Sequence, residues 1–164
     1  MIRKAGAEDI PSIRAMADVA FRHTYKDILS PDQTEYMMEM MYSSDSLSRQ
    51  MKQGHVFFLE DGRGYVSFRP DGHTPDGRPR FHLEKLYVLP SFQKKGLGLE
   101  LFRTIVREAS CAAGGPFRLE LNVNRNNPAL GFYERLGMRR DAQGDFPIGG
   151  GYFMNDYIMV LDYS

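Results

Sequence analysis

The chain has 164 residues, the length of one ordinary domain, and a single domain over 1–164 is expected. Its 21 Lys+Arg balance 21 Asp+Glu, so no overall field gathers nucleic acid or an anionic membrane, and binding has to be specified locally. A lone cysteine, Cys111, excludes an intrachain disulfide and a thiolate metal cluster and fits a reducing cytoplasm, while no apolar run has the length of a signal or membrane span, so a soluble chain is expected.

Ile2 to Ala5 read as a short strand. Glu8-Asp9-Ile10-Pro11 place acids and a proline where a helix starts, and Ile10, Ile13, Ala17 and Phe21 keep the spacing of one buried face, predicting a helix to about Asp27. Ser30-Pro31-Asp32 restarts a helical pattern, and Ser43-Ser44-Asp45 caps a third helix ending near Gly54. From His55 the period becomes that of strands: His55–Glu60 and Gly64–Arg69 flank Asp61-Gly62-Arg63, which predicts an antiparallel hairpin. Pro70 to Pro79, rich in Gly, Pro and Asp, reads as a surface loop, and Arg80 to Leu89 as a strand. A helix from about Gly96 to Ala112 stops at Gly114-Gly115-Pro116. Phe117 to Val123 is the next strand, and the intervening helix is long enough for a parallel crossover. Asn126-Asn127-Pro128 opens a last helix that Gly137 ends, and Met138–Arg140 and Gly151–Asp162 read as two strands. The expected class is α/β of the α+β kind, with helices flanking a mixed, mostly antiparallel sheet that has a central β-α-β.

Two segments carry chemistry. The first runs Leu83-Glu84-Lys85-Leu86-Tyr87-Val88-Leu89-Pro90-Ser91-Phe92-Gln93-Lys94-Lys95-Gly96-Leu97-Gly98, a strand passing through a glycine turn into an amphipathic helix. Unpaired N–H groups from Gln93 through Leu99 can cradle a pyrophosphate, with the charges of Lys94 and Lys95 beside them. Neither Gly-x-x-x-x-Gly-Lys-Ser/Thr nor Gly-x-Gly-x-x-Gly is present, since Leu101 fills the last place, and this argues against a phosphate-loop nucleotide enzyme. The second segment is Asn126-Asn127-Pro128-Ala129-Leu130-Gly131-Phe132-Tyr133-Glu134-Arg135-Leu136-Gly137-Met138.

Together they resemble the GNAT superfamily of N-acetyltransferases. Gln93, Gly96 and Gly98 fill its Gln/Arg-x-x-Gly-x-Gly signature after a strand ending Val-x-Pro. The second segment follows Asn-x-x-Ala-x-x-(Phe/Tyr)-Tyr-x-x-x-Gly-Phe, with Met138 for the final aromatic. The resemblance implies acetyl-CoA as acyl donor and an amine as acceptor, with Tyr133 as general acid and Glu84 as general base. It also implies coenzyme contacts from Tyr87, Val88, Gln93, Lys94, Lys95, Gly96, Leu97, Gly98, Asn126 and Arg135. The strand carrying Glu84 to Val88 is expected to splay from its neighbour at a bulge, with the Val88 N–H polarising the thioester carbonyl. Glu84 is placed on the same strand face as Val88, four residues apart; a solvated carboxylate, or a partner for Lys85 or Arg118, stays open for it.

The aromatic segments Phe21–Tyr25 and Phe146–Tyr157, with Asp27, Asp32, Glu35 and Glu39, bear a weaker similarity to the bacterial spermidine/spermine acetyltransferase group, which implies a polyamine or other small amine. A protein or amino-acid amine and a non-catalytic coenzyme A-binding module stand as alternatives, and a homodimer through the late strands is a common family arrangement. His23, His55, His73 and His82 are scattered without metal-ligand spacing, so no metal is expected.

Overall fold

In the computed structural model, which describes residues 1–164, a two-residue strand β1 (Arg3–Lys4) leads into helices α1 (Ile10–Tyr25), α2 (Pro31–Tyr42) and α3 (Ser44–Lys52). The helix starts follow the capping signals: Ser30 Oγ accepts from the Gln33 N–H at 3.1 Å, and Ser43 Oγ from the Ser46 N–H at 3.1 Å. Strands β2 (Val56–Glu60), β3 (Gly64–His73) and β4 (Pro79–Val88) follow, then α4 (Leu97–Ala113), β5 (Phe117–Asn124), α5 (Ala129–Arg135), β6 (Arg139–Gly149) and β7 (Tyr152–Tyr163). No helix is long and apolar enough to cross a membrane.

One seven-stranded sheet runs β1-β2-β3-β4-β5-β7-β6, antiparallel at every pairing except the parallel β4–β5 pair. Alternation along the central strands divides the core. Phe81 and Leu83 of β4 and Phe117, Leu119, Leu121 and Val123 of β5 pack with Leu101, Phe102 and Ile105 of α4 on one face. Ile13, Ala17 and Phe21 of α1, Leu47 of α3 and Tyr65 of β3 pack on the other. Gly64 closes the β2–β3 turn because a Cβ there would lie 2.8 Å from the Tyr87 carbonyl oxygen.

Two features set up the site. β4 and β5 pair only from Arg80↔Arg118 to Leu83↔Leu121, so Glu84 to Val88 runs on beside β3 without a partner from β5. At the same point the β3–β4 register slips between Ser67↔Lys85 and Phe68↔Leu83, which makes Glu84 the extra residue of a bulge. Both the expected parallel crossover and the expected splay are present.

Three expectations are corrected. The surface loop read over Pro70–Pro79 shrinks to residues 74–78, because β3 and β4 extend past a second register shift between Pro70 and His73. Thr74 closes that turn, donating its N–H to the Arg78 carbonyl at 2.8 Å and accepting from the Arg78 N–H on Oγ1 at 3.1 Å. The short strand at Met138–Arg140 is the start of eleven-residue β6, an edge strand whose first five residues are all exposed and whose second half is broken by Gly144, Pro147 and Gly149, so the sequence shows no continuous strand pattern. The third correction concerns faces: the bulge shifts parity by one residue, so Val88 packs with the α4 cluster whereas Glu84 pairs with Arg69 on the opposite face, not on the face of Val88.

Candidate functional site

The separation of β4 from β5 opens a cavity of about 840 Å³. Its walls come from both sides of the sheet: the α4 start and α5 on one, the end of α1 on the other, with β4 and β5 as the jambs. The cavity is therefore lined from both faces of the sheet.

The glycine turn forms the first end. Lys94 has φ 62° and Gly96 φ 88°, so the chain twice enters the left-handed region before α4 begins, turning successive N–H groups to one side. Nothing lies within 4 Å of where a Gly96 Cβ would be, so the glycine serves the backbone conformation and leaves its surroundings open. Gln93 is tied back to the strand, its Nε2 donating to the Val88 carbonyl at 3.1 Å. The Leu89 N–H donates to the Arg63 carbonyl at 2.8 Å on the β3 side, so the alternation of an extended backbone turns the Val88 N–H toward the gap.

Of the residues read from the sequence, Glu84, Tyr87, Val88, Gln93, Lys94, Gly96, Gly98, Asn126, Tyr133 and Arg135 all line the cavity. Lys95 and Leu97 do not. The Lys95 ammonium sits 5.9 Å from the Phe92 ring centroid, and the Leu97 side chain is buried in the α4-side core as the first residue of the helix. What Leu97 offers a ligand is its backbone.

Tyr133 is buried, with ring centroids 5.3 Å from Phe132 and 6.5 Å from Phe102. Burial pushes its phenol well above the ordinary value, so it stays protonated at neutral pH and is suited to donate rather than accept a proton. Glu84 is partly exposed, and its Oε1 takes the Arg69 guanidinium as partner. The alternative partners read from sequence are engaged elsewhere, Arg118 with Asp162 at 2.8 Å and Lys85 with Gln50 at 2.6 Å.

On the α1 side, His23, Tyr25, Asp27 and Asn122 line the cavity. Tyr25 is buried, and its hydroxyl accepts from Asn127 Nδ2 at 3.3 Å, which joins α1 to the start of α5. At the start of α5, Asn127 Oδ1 accepts from the Ala129 N–H at 2.9 Å. Asn122 was missed in the sequence. Its signal is the alternation of β5, in which Leu121 and Val123 face α4 and the residue between them faces the opposite way.

Asp71, His82 and Glu120 lie with ligand atoms within 4.8 Å of one another, but Arg80 Nε stands 3.8 Å from Asp71 and 3.9 Å from Glu120 and supplies the positive charge there.

Known proteins match this architecture. A model described as Acetyltransferase (GNAT) family matches residues 18–138. The chain is 27% identical over 160 residues to the uncharacterized N-acetyltransferase YuaI of Bacillus subtilis (strain 168), covering 91% of this chain and 86% of that protein. The PaiA N-acetyltransferase of Thermoplasma acidophilum, solved in complex with coenzyme A, is similar in fold with a TM-score of 0.76 at 22% identity, over 99% of this chain and 98% of that one. A GCN5-related N-acetyltransferase of Rhodopseudomonas palustris has a TM-score of 0.78 at 17% identity, over 99% and 95%.

Proposed function

The chain belongs to the GNAT acetyltransferase family and is an acetyl-CoA-dependent N-acetyltransferase, and from that premise we propose that it moves the acetyl group directly to a primary amine of a small, cationic acceptor. The observation that carries this reading is the passage through the sheet. The donor enters along the glycine turn, and the opposite mouth carries the carboxylates of Glu84 and Asp27 with the amide of Asn122. Beside His23 and Lys26, those carboxylates give this end acceptors for an ammonium group, and a short polyamine is the acceptor we infer.

Acetyl-CoA supplies an activated acyl group on sulfur; the residues supply position and protons. The backbone at Lys94–Gly98 holds phosphate oxygens, with Lys94 and Arg135 adding charge. The Val88 N–H, pointing into the gap, donates to the carbonyl oxygen as negative charge develops on it. Glu84 takes a proton from the incoming ammonium, directly or through water, with the oxygen that Arg69 leaves free. The new C–N bond forms as the C–S bond breaks, and Tyr133 gives its proton to the departing sulfur.

The test is thiol release from acetyl-CoA across a panel of di- and polyamines, amino acids and peptide N-termini. Release with short polyamines well above the background hydrolysis is expected. Release only with peptides would refute the small-acceptor reading, and no release with any amine would refute transfer itself.

A further inference from the structure

Beyond the residues assigned to acyl transfer, one buried carboxylate behind the cavity wall on the α1 side of the sheet has no role. Asp156 lies on β7 directly opposite Asn124 of β5, on the face turned away from α4, and is only 6% exposed. Its Oδ2 accepts from Asn122 Nδ2 at 3.4 Å, and its Oδ1 is buried without any hydrogen-bond partner. The nearest cation does not complete it. The Arg125 guanidinium donates to Asp145 Oδ1 at 2.7 Å, to the Gly144 carbonyl at 3.2 Å and to the backbone carbonyl of Asp156 at 3.5 Å. A carboxylate oxygen left unpaired in the interior is costly, so a buried, uncompensated acid stands directly behind Asn122.

Asn122 connects that carboxylate to the cavity. It lines the passage, and by giving its Nδ2 to Asp156 it keeps its Oδ1 for something else. We propose that Asn122 and Asp156 form the subsite that holds the acceptor's ammonium group: Asn122 Oδ1 accepts one N–H of the ligand, and Asp156 behind it fixes the amide and provides the negative charge. Asp156 is thus a positioning residue acting through Asn122. Burial raises its carboxyl above the usual range, against the pull of Asn122 and Arg125, as expected of an acid that lacks its cation. The inference rests on the amine-acceptor reading and deepens it by naming which side chains choose a cation.

The full chain saturated with coenzyme A is titrated calorimetrically with 1,4-diaminobutane, for the natural sequence, Asp156→Asn and Asn122→Ala. Loss of the charge in Asp156→Asn is expected to weaken diamine binding by on the order of tenfold or more, with coenzyme A affinity unchanged. In turnover the same variant should raise the KM for the amine and leave kcat nearly as it was. Asn122 is solvent-exposed in the open cavity, so Asn122→Ala keeps the test intact should Asp156→Asn fail to fold. Diamine affinity unchanged in both variants, or coenzyme A and diamine affinities falling together, overturns the subsite. No thiol release with any amine, read in the separate panel, instead removes the acetyl-transfer reading on which it rests.

Discussion

Lys85 offers a quantitative test of how this sheet is stabilised. Its side chain is 4% exposed, its ammonium donates to Gln50 Oε1 at 2.6 Å, and it lies 5.4 Å from the Phe57 ring centroid and 5.6 Å from that of Tyr42. No carboxylate bonds to it, and burial lowers its pKa from 10.5 to about 8. A lysine depressed in the folded state costs stability wherever it must be charged, so the penalty is complete below pH 8 and vanishes as the pH rises through 10.5. At about 1.4 kcal/mol per unit, the shift costs roughly 3 kcal/mol at pH 7 and about 1.4 kcal/mol at pH 9.5. Lys85→Met keeps the apolar length and removes the charge. Leaving Gln50 Oε1 without its donor costs about 1 kcal/mol in return, so a net gain of about 2 kcal/mol is expected at pH 7. The assay is urea unfolding of both proteins at pH 7 and pH 9.5, where taking the difference cancels groups common to the two. The advantage of the variant should shrink by about 2 kcal/mol between the two pH values. A variant less stable than the parent at pH 7, or a difference that does not change with pH, would refute the reasoning.

Other expectations concern the site and its supports. Tyr133→Phe should lower kcat by about a hundredfold or more with the KM for acetyl-CoA nearly unchanged; because burial raises this phenol, kcat of the natural chain should show no alkaline fall at the ordinary tyrosine pKa. Gly96→Ala forces a Cβ onto a residue at φ 88°, so thermal unfolding should show a loss of about 1 kcal/mol, accompanied by a higher KM for acetyl-CoA and not for the amine. The Tyr65 hydroxyl donates to the Tyr42 hydroxyl at 2.7 Å where both side chains are essentially inaccessible. Tyr42→Phe is expected to cost about 1–3 kcal/mol in urea unfolding by stranding that donor; adding Tyr65→Phe should recover part of the loss, and strict additivity would show that the hydroxyls are not coupled.

The parts of this molecule that could be read from sequence are those written locally. Ser30 and Ser43 act through the next few residues, Gly114 stops α4 in the left-handed conformation, and the Gln93–Gly98 turn is a contiguous string, so each appeared where composition put it. What escaped reading depends on partners distant in the chain. β6 has few apolar residues because it lies at an edge, and only pairing with β7 makes it a strand. Asn122 and Asp156 are 34 residues apart and meet because β5 and β7 are neighbours. Lys95 looked like a twin of Lys94, yet the two are distinguished by backbone: Lys94 sits at positive φ inside the turn, and Lys95 points away over Phe92.

Glu84 shows how a single inserted residue ties these levels together. Strict alternation from Phe81 and Leu83, which face α4, would place Glu84, Leu86 and Val88 together on the opposite face, away from the apolar floor formed by Leu97, Leu101 and Phe132. The inserted residue instead sends Leu86 and Val88 into that floor and leaves Glu84 across the sheet with Arg69, lining the cavity. The bulge lies where β4 parts from β5, just beyond Leu83↔Leu121, so the irregularity that changes the face of Leu86 and Val88 borders the gap between the two strands. The bulge thereby sets Glu84 on one face of the sheet while Tyr133 remains on the α4 side.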